Sequence, residues 1–287
     1  MGDSGSGIHL PSAPLPRDVA PSPADPEEIS VLVTGFGPFK SNVVNASFLI
    51  ASSLPSSLSV PIDRPAVPID GHTDNNGKPA RKISIHVHPA PVEVTYSAVR
   101  TIIPMMMHDY VQTHGRQPDI VIHMGIAATR GYYSIESKAH RDSYIMPDNL
   151  GRAGYEDGEK GWREKKLPHV LYPGRSEPGA LDLVAAPASK TTRLSAHPPD
   201  ALFLKTWQGH APSGADVRIS EDAGRYLCEF IFYTSLALAL REGRDRNVAF
   251  FHVPSSCKDE DVKTGREVAV ALIKTLVERW VDSQVDV

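Results

Sequence analysis

Short apolar runs alternate along this chain with longer stretches whose apolar residues recur at helical spacing, and few folds accept that pattern. Residues 29–34, 83–87, 119–124 and 248–253 read as strands, with 217–219 as a shorter one. Residues 45–54, 94–113, 227–241 and 259–281 read as helices, the second with Pro104 as an internal kink. Alternating strands and helices predict an α/β fold, a three-layer α/β/α sandwich around a mixed, mostly parallel sheet covered on both faces. Such sheets bind ligands beyond the carboxyl ends of their strands, so residues that end a strand or open the next helix are the ones to search for chemistry.

The rest of the chain is read around that domain. Residues 1–28 are rich in Gly, Ser and Pro and read as a disordered tail, and 29–287 read as one α/β domain. Two stretches read as loop insertions: about 57–82, dense in Pro, Asp, Asn and Gly, and about 153–213, rich in Pro, Lys and Ser. The formal net charge is −4, with acids and bases mixed. No basic cluster points to nucleic acid, and no apolar run is long enough to cross a bilayer. The polar N-terminus lacks the apolar centre of a signal peptide, and two cysteines cannot build a disulfide framework; both features predict a cytoplasmic protein. Residues 35–37, Gly-Phe-Gly, follow an apolar strand as a nucleotide-binding turn would. The third glycine of that fingerprint is replaced by Lys40, however, and Pro38 and Phe39 would crowd a pyrophosphate. No cofactor is expected. His86 and His88 share one strand face without a third ligand nearby, so no metal site is expected either.

Three residues carry candidate chemistry. Cys228 stands at a loop-to-helix junction, where unpaired backbone N–H groups favour a thiolate. His252 ends the last apolar run, and Glu136 closes the segment Tyr133-Ser-Ile-Glu136. A nucleophile, a base and an orienting carboxylate from separate elements form the arrangement of a cysteine hydrolase. Taken one at a time, the same residues read as a core cysteine, a strand-end histidine and a solvated acid. Cys257, in the loop after the His252 strand, reads as a bystander.

Four blocks, in order, resemble pyroglutamyl peptidase I (pyrrolidone-carboxylate peptidase). They are VLVTGFGPF at 31–39 with VNAS at 44–47, PDIVIHMG at 118–125 with Ile135 and Glu136, DAGRYLC at 222–228 with FYTSL at 232–236, and FHVP at 251–254. The resemblance implies a hydrolase that removes an N-terminal pyroglutamyl residue from peptides through a Cys-His-Glu triad. Cys228 would be nucleophile, His252 base and Glu136 the group that orients the imidazole. It also implies that Phe36 and Phe39 flank the lactam ring, that Tyr226 and Leu227 complete the wall, that Asn45 braces the pocket and that Met146 faces it. Peptides with a pyroglutamyl end would be the partners, whether the chain is a monomer or a homo-oligomer. The sequence departs from the family at Lys40, where glycine is usual, and over 137–144. Its insertions resemble a fungal-type branch. Two other readings stand beside this one. The first is a non-catalytic relative that binds blocked peptide ends or a protein partner. The second is a nucleoside phosphorylase of related fold, for which no phosphate-binding loop is found.

Overall fold

The computed structural model describes residues 28–39, 42–61, 80–175 and 194–281. The expected tail up to residue 27, Lys40, and residues 62–79 and 176–193 of the two expected insertions lie outside this set. Seven strands form one sheet in the order β2-β3-β1-β4-β9-β5-β8. They are β1 (Ile29–Gly35), β2 (Ser57–Pro61), β3 (Ala80–Val87), β4 (Ile120–Ile126), β5 (Tyr133–Glu136), β8 (Val217–Ser220) and β9 (Val248–Val253). β6 (Ala139–His140) and β7 (Val170–Leu171) pair separately. The helices are α1 (Ala46–Ser52), α2 (Tyr96–His114), α3 (Lys160–Glu164), α4 (Ala201–His210), α5 (Leu227–Arg241) and α6 (Asp259–Val281).

β3, β1, β4 and β9 run parallel. β5 joins β9 antiparallel, β8 joins β5 parallel, and β2 closes the far edge antiparallel to β3. The sheet is therefore mixed and mostly parallel, as expected. Side-chain alternation sorts the strands between two apolar layers. Val31, Val33, Ile122, Ala249 and Phe251 pack in one layer with α1, α4 and α6, whose Phe203, Trp207, Leu272, Leu276 and Trp280 fill it. Leu32, Val121, Val248 and Phe250 pack in the other with α2 and α5, against Ile103, Phe230, Phe232 and Leu236. All seven residues of β1 and all six of β9 are buried, because both faces of these central strands are covered. The edge strand β2 alternates exposed and half-buried residues and ends on Pro61, which an edge tolerates.

Helix ends follow local chemistry. Asn45 caps α1, Thr95 caps α2 and Asp200 caps α4, each accepting from a first-turn N–H. α2 ends on Gly115 at φ 71°, and it runs unbroken through Pro104. Met106 and Met107 fill the core, while Met105 faces outward.

The two expected insertions are partly built of regular structure. Ser57–Pro61 is a strand of the main sheet. The second stretch holds a π-helical turn (Tyr155–Glu159), α3, β7 and α4. Their turn-rich composition hid a short edge strand and a helix whose apolar residues are few but large, Phe203 and Trp207 being fully buried.

Candidate active site

The carboxyl ends of β1, β4 and β9 meet at one edge of the sheet, and the candidate residues gather on the face that α5 covers. His252 pairs with Gly125 of β4 and with Ser134 of β5, so these three share a face. Glu136 lies one step deeper along β5, opposite Phe250. The chain then passes through β8 and climbs back over residues 221–226 to start α5, which places Cys228 in the first turn of that helix. A Cβ added at Gly125 would lie 2.7 Å from Cys228 Sγ and 2.9 Å from the Phe250 ring. The glycine thus lets the thiol sit directly against the strand in register with His252. Gly125→Ala should push the thiol out of place. We expect a loss of about 100-fold in kcat, the cost of a displacement near 1 Å, measured beside the thermal midpoint to separate misplacement from unfolding.

Glu136 is fully buried and His252 nearly so. His252 Nδ1 lies 2.7 Å from Glu136 Oε1. An ionised carboxylate only accepts, so Nδ1 carries the proton and Nε2 keeps its lone pair free to act as a base. Burial would raise the Glu136 carboxyl, but the bond and charge interaction with His252, helped less by Ser220 and then by Arg130, outweigh it and hold the group below its ordinary range. Arg130 Nη1 donates to the same Oε1 at 2.8 Å and to Ser134 Oγ at 2.8 Å. Glu136 is therefore a buried anion whose Oε1 accepts from His252, Arg130 and, at 3.4 Å, Ser134 Oγ.

The thiol differs from the sequence expectation. Burial pushes Cys228 up to about 12, and the nearby Glu136 charge adds to the effect, while Arg130 acts against both. The helix start was expected to favour the thiolate, but desolvation of a sulfur packed between Gly125, Phe250 and its own helix dominates. Cys228 rests as the neutral thiol. In a Cys257→Ser background, alkylation by iodoacetamide should be slow at pH 7 and rise steeply through the alkaline range, read by mass spectrometry. The α5 N-cap residue, Tyr226, provides no side-chain hydrogen bond, so side chains leave the first N–H groups of the helix uncapped.

A second buried histidine is a weaker candidate for the base. His123 faces the same layer two residues before Gly125, with Nδ1 2.8 Å from Thr34 Oγ1 and no partner on Nε2 among the described residues. Burial pushes it down to about 3, so it stays neutral, and it lacks a carboxylate to stabilise a charge.

The residues expected to bind substrate divide by position. Phe36 is buried and its backbone N–H donates to Ser47 Oγ. Phe39 exchanges two backbone hydrogen bonds with Asn42 and packs its ring on Tyr226, with centroids 5.2 Å apart. Tyr226 O–H donates to Pro147 O at 3.1 Å, which pins it beside Cys228. Leu227 is packed into the core under α5. Asn45 spends its amide inside the loop: Nδ2 donates to Gly37 O, and Oδ1 accepts from Ser47 N–H and Ser47 Oγ. Met146 is about half exposed, and its carbonyl accepts from Tyr96 O–H. Its loop also holds Asp148, whose Oδ2 accepts from Tyr96 N–H at the start of α2. A rigid loop therefore stands beside Tyr226, with Ile145 and Leu150 exposed on it. Among the described residues no group of three His, Cys, Asp or Glu could hold a metal ion, and no helix is long and apolar enough to cross a membrane. His86 packs against His114 instead of pairing with His88. Cys228 and Cys257 are both free, and Cys257 is exposed.

Arg130, Ser134 and Gly125 had escaped the sequence reading. Ser134 and Glu136 alternate on one strand, which was a usable signal, but a loop arginine six residues before an acid is not.

Fold and site together define an α/β protein with a thiol, an imidazole and a buried carboxylate gathered at the carboxyl ends of its central strands. No family model matches the chain. It is nonetheless similar to known pyroglutamyl peptidases, as the four sequence blocks indicated. It is 29% identical over 230 residues to pyroglutamyl-peptidase 1 of Mus musculus, covering 78% of each chain. It is 25% identical over 227 residues to the pyrrolidone-carboxylate peptidase of Pyrococcus furiosus, covering 79% of this chain and 81% of the relative. Among solved structures, a mutant pyrrolidone carboxyl peptidase from P. furiosus superposes with a TM-score of 0.53 at 21% identity. That match covers 87% of this chain and 99% of the other, and it shows that the fold is shared.

Proposed function

We propose that this protein is a cysteine exopeptidase that hydrolyses the bond after an N-terminal pyroglutamyl residue. The observation that carries the reading is the convergence of Cys228, pressed against Gly125, with His252 in register beside it and Glu136 bonded behind it. The similarity to pyroglutamyl peptidases supplies the substrate class.

The chemistry follows from the resting state of each group. The thiol is neutral, so its proton passes to His252 Nε2 as Sγ attacks the carbonyl carbon that joins pyroglutamate to the next residue, leaving the lactam ring intact. Glu136 stabilises the imidazolium that forms and fixes the ring's tautomer. The oxyanion of the tetrahedral intermediate is met by N–H groups in the uncapped first turn of α5. On collapse the C–N bond breaks and the imidazolium gives its proton to the departing amine. The acyl group is left as a thioester on Cys228. His252 then takes a proton from water, the hydroxide adds to the thioester, and the C–S bond breaks. Pyroglutamate leaves and the thiol is restored. Phe36, Phe39 and Tyr226 supply apolar and aromatic surface for a flat, uncharged lactam, with Met146 at the outer edge and Leu227 and Asn45 supporting the wall from behind. A nucleophile that must stay reduced fits a cytoplasmic setting.

A panel of fluorogenic amides tests the reading. The pyroglutamyl amide should be cleaved, and proline and glutamate amides should be cleaved at least about 100-fold more slowly, since one lacks the lactam carbonyl and the other brings charge into an apolar site. Equal cleavage of all three, or of none by folded protein, would refute it.

A further inference from the structure

Arg130 bonds the buried Glu136, and the same guanidinium also reaches the segment that delivers the nucleophile. Nη1 donates to Glu136 Oε1 and to Ser134 Oγ, both at 2.8 Å, and Nη2 donates to the Asp222 carbonyl at 2.8 Å. Asp222 opens the turn that climbs to Tyr226 and Cys228. Arg130 itself sits in the loop between β4, which carries Gly125, and β5, which carries Glu136. One planar side chain therefore ties together the strand of the acid, the loop beyond the glycine that receives the thiol, and the segment that presents the thiol. Its side chain is only 21% exposed and Glu136 is fully buried, so their pairing is weakly screened by water.

We infer that Arg130 is a positioning residue for the reaction, holding Glu136 ionised and the Cys228 segment in register with His252. The inference rests on the proposed peptidase reading for its kinetic consequences and on geometry alone for its structural ones. His252 and Arg130 share Glu136 Oε1 at 2.7 and 2.8 Å, with Ser134 Oγ donating to it more distantly at 3.4 Å, while Oε2 has no hydrogen-bond partner among the described residues. Without the guanidinium, the carboxylate would keep His252 and Ser134 as its neighbours in a dry site, and its proton affinity would rise. Protonated Glu136 cannot orient or stabilise the imidazolium. The Asp222 carbonyl would lose its tether at the same time, loosening the approach of the thiol. A guanidinium makes all three bonds at once because its donors lie in a fixed planar fork, which an ammonium does not reproduce.

The test compares wild type, Arg130→Met and Arg130→Lys in the full chain with two readouts. The first is the pH profile of kcat and kcat/KM on a pyroglutamyl amide. The second needs no substrate: the low-field proton resonance of the His252 Nδ1–H bonded to Glu136, followed as pH falls. For Arg130→Met we expect kcat to drop about 10- to 100-fold with KM within about threefold, because the change acts on the transition state. The acidic limb should move up by about one pH unit, and the resonance should vanish about one unit earlier. Arg130→Lys should return the limb and the resonance toward wild type while kcat recovers only in part. A fall in thermal midpoint with the limb and resonance unmoved would overturn the inference and leave Arg130 a stability residue. If wild type cleaves no pyroglutamyl amide yet the resonance moves in Arg130→Met, the peptidase reading fails and the hold of Arg130 on the acid stands.

Discussion

Cys228→Ser should lower kcat/KM for a pyroglutamyl amide by at least about 1,000-fold, while Cys257→Ser should stay within about twofold of wild type. The two cysteines occupy opposite environments. Cys228 lies in the first turn of α5 against Gly125, and Cys257 is exposed on the loop after β9, its thiol donating to the Val44 and Ser255 carbonyls. A hydroxyl in place of the thiol is a far weaker acid and a far weaker nucleophile at this site. The partly buried thiol is already pushed up to about 12 by desolvation, so an oxygen there would need still more help from His252. Serine fits the same space, so folding should be unaffected, and matching thermal midpoints would assign the loss to chemistry. Removing a hydrolase nucleophile leaves only the rate that binding and oxyanion donors provide, and the predicted factor reflects that remainder. A Cys228→Ser protein with activity near wild type would exclude the thiol mechanism.

Glu136→Gln should cost about 10,000-fold in kcat with the fold preserved, the order of effect seen when the carboxylate of a hydrolase triad becomes an amide. Oε1 now accepts from His252 Nδ1 and from Arg130. A glutamine oxygen could still meet Arg130 and His252 Nδ1–H, but its NH₂ would be placed in the dry, unpartnered position of Oε2. No charge would remain to hold the Nδ1–H tautomer firmly or to stabilise an imidazolium. Arg130 would keep a neutral acceptor in place of an anion, at a stability cost of about 1–3 kcal/mol. The same carboxylate gives stability a pH dependence of definite sign. Its folded-state proton affinity is lowered, so its contribution is fully present above the ordinary carboxylate range. That contribution is lost as pH falls through the depressed folded-state value. Thermal melts should therefore show wild type losing more stability than Glu136→Gln as pH falls through and below the ordinary carboxylate range. Equal losses would mean that the ion pair contributes nothing to folding.

Much of this was legible in the chain because the central strands are covered on both faces. β1 and β9 are wholly buried and mostly apolar for that reason, and a run such as Val248–Phe251 announces itself. The triad candidates were legible because Cys228 and His252 each stand where a regular element begins or ends. What the sequence concealed depends on partners distant along the chain. β5 is four residues long, its buried face includes a serine and an acid, and only its pairing with β9 and β8 makes it a strand. Nothing local marks Arg130, whose bonds reach 6 residues to Glu136 and 92 residues to Asp222. The state of the thiol was misjudged because helix-start electrostatics can be read from order along the chain, whereas desolvation by Phe250 and the close approach to Gly125 appear only once the sheet is assembled. Leu227 shows the same limit: a residue beside the nucleophile in sequence turns into the core because helical geometry rotates it away from Cys228.

Labelling with a pyroglutamyl chloromethyl ketone would test the central claim most directly, since the reagent must be recognised as a pyroglutamyl group and attacked by an activated nucleophile. Full-chain protein would be treated near neutral pH, with an otherwise identical acetyl-alanyl reagent as control, and mapped by peptide mass spectrometry. We predict one label per chain, on Cys228, fast with the pyroglutamyl reagent and slow with the control, and abolished in His252→Ala. Label on Cys257, equal rates with the two reagents, or no label on Cys228 would contradict a pyroglutamyl-specific thiol mechanism at this site.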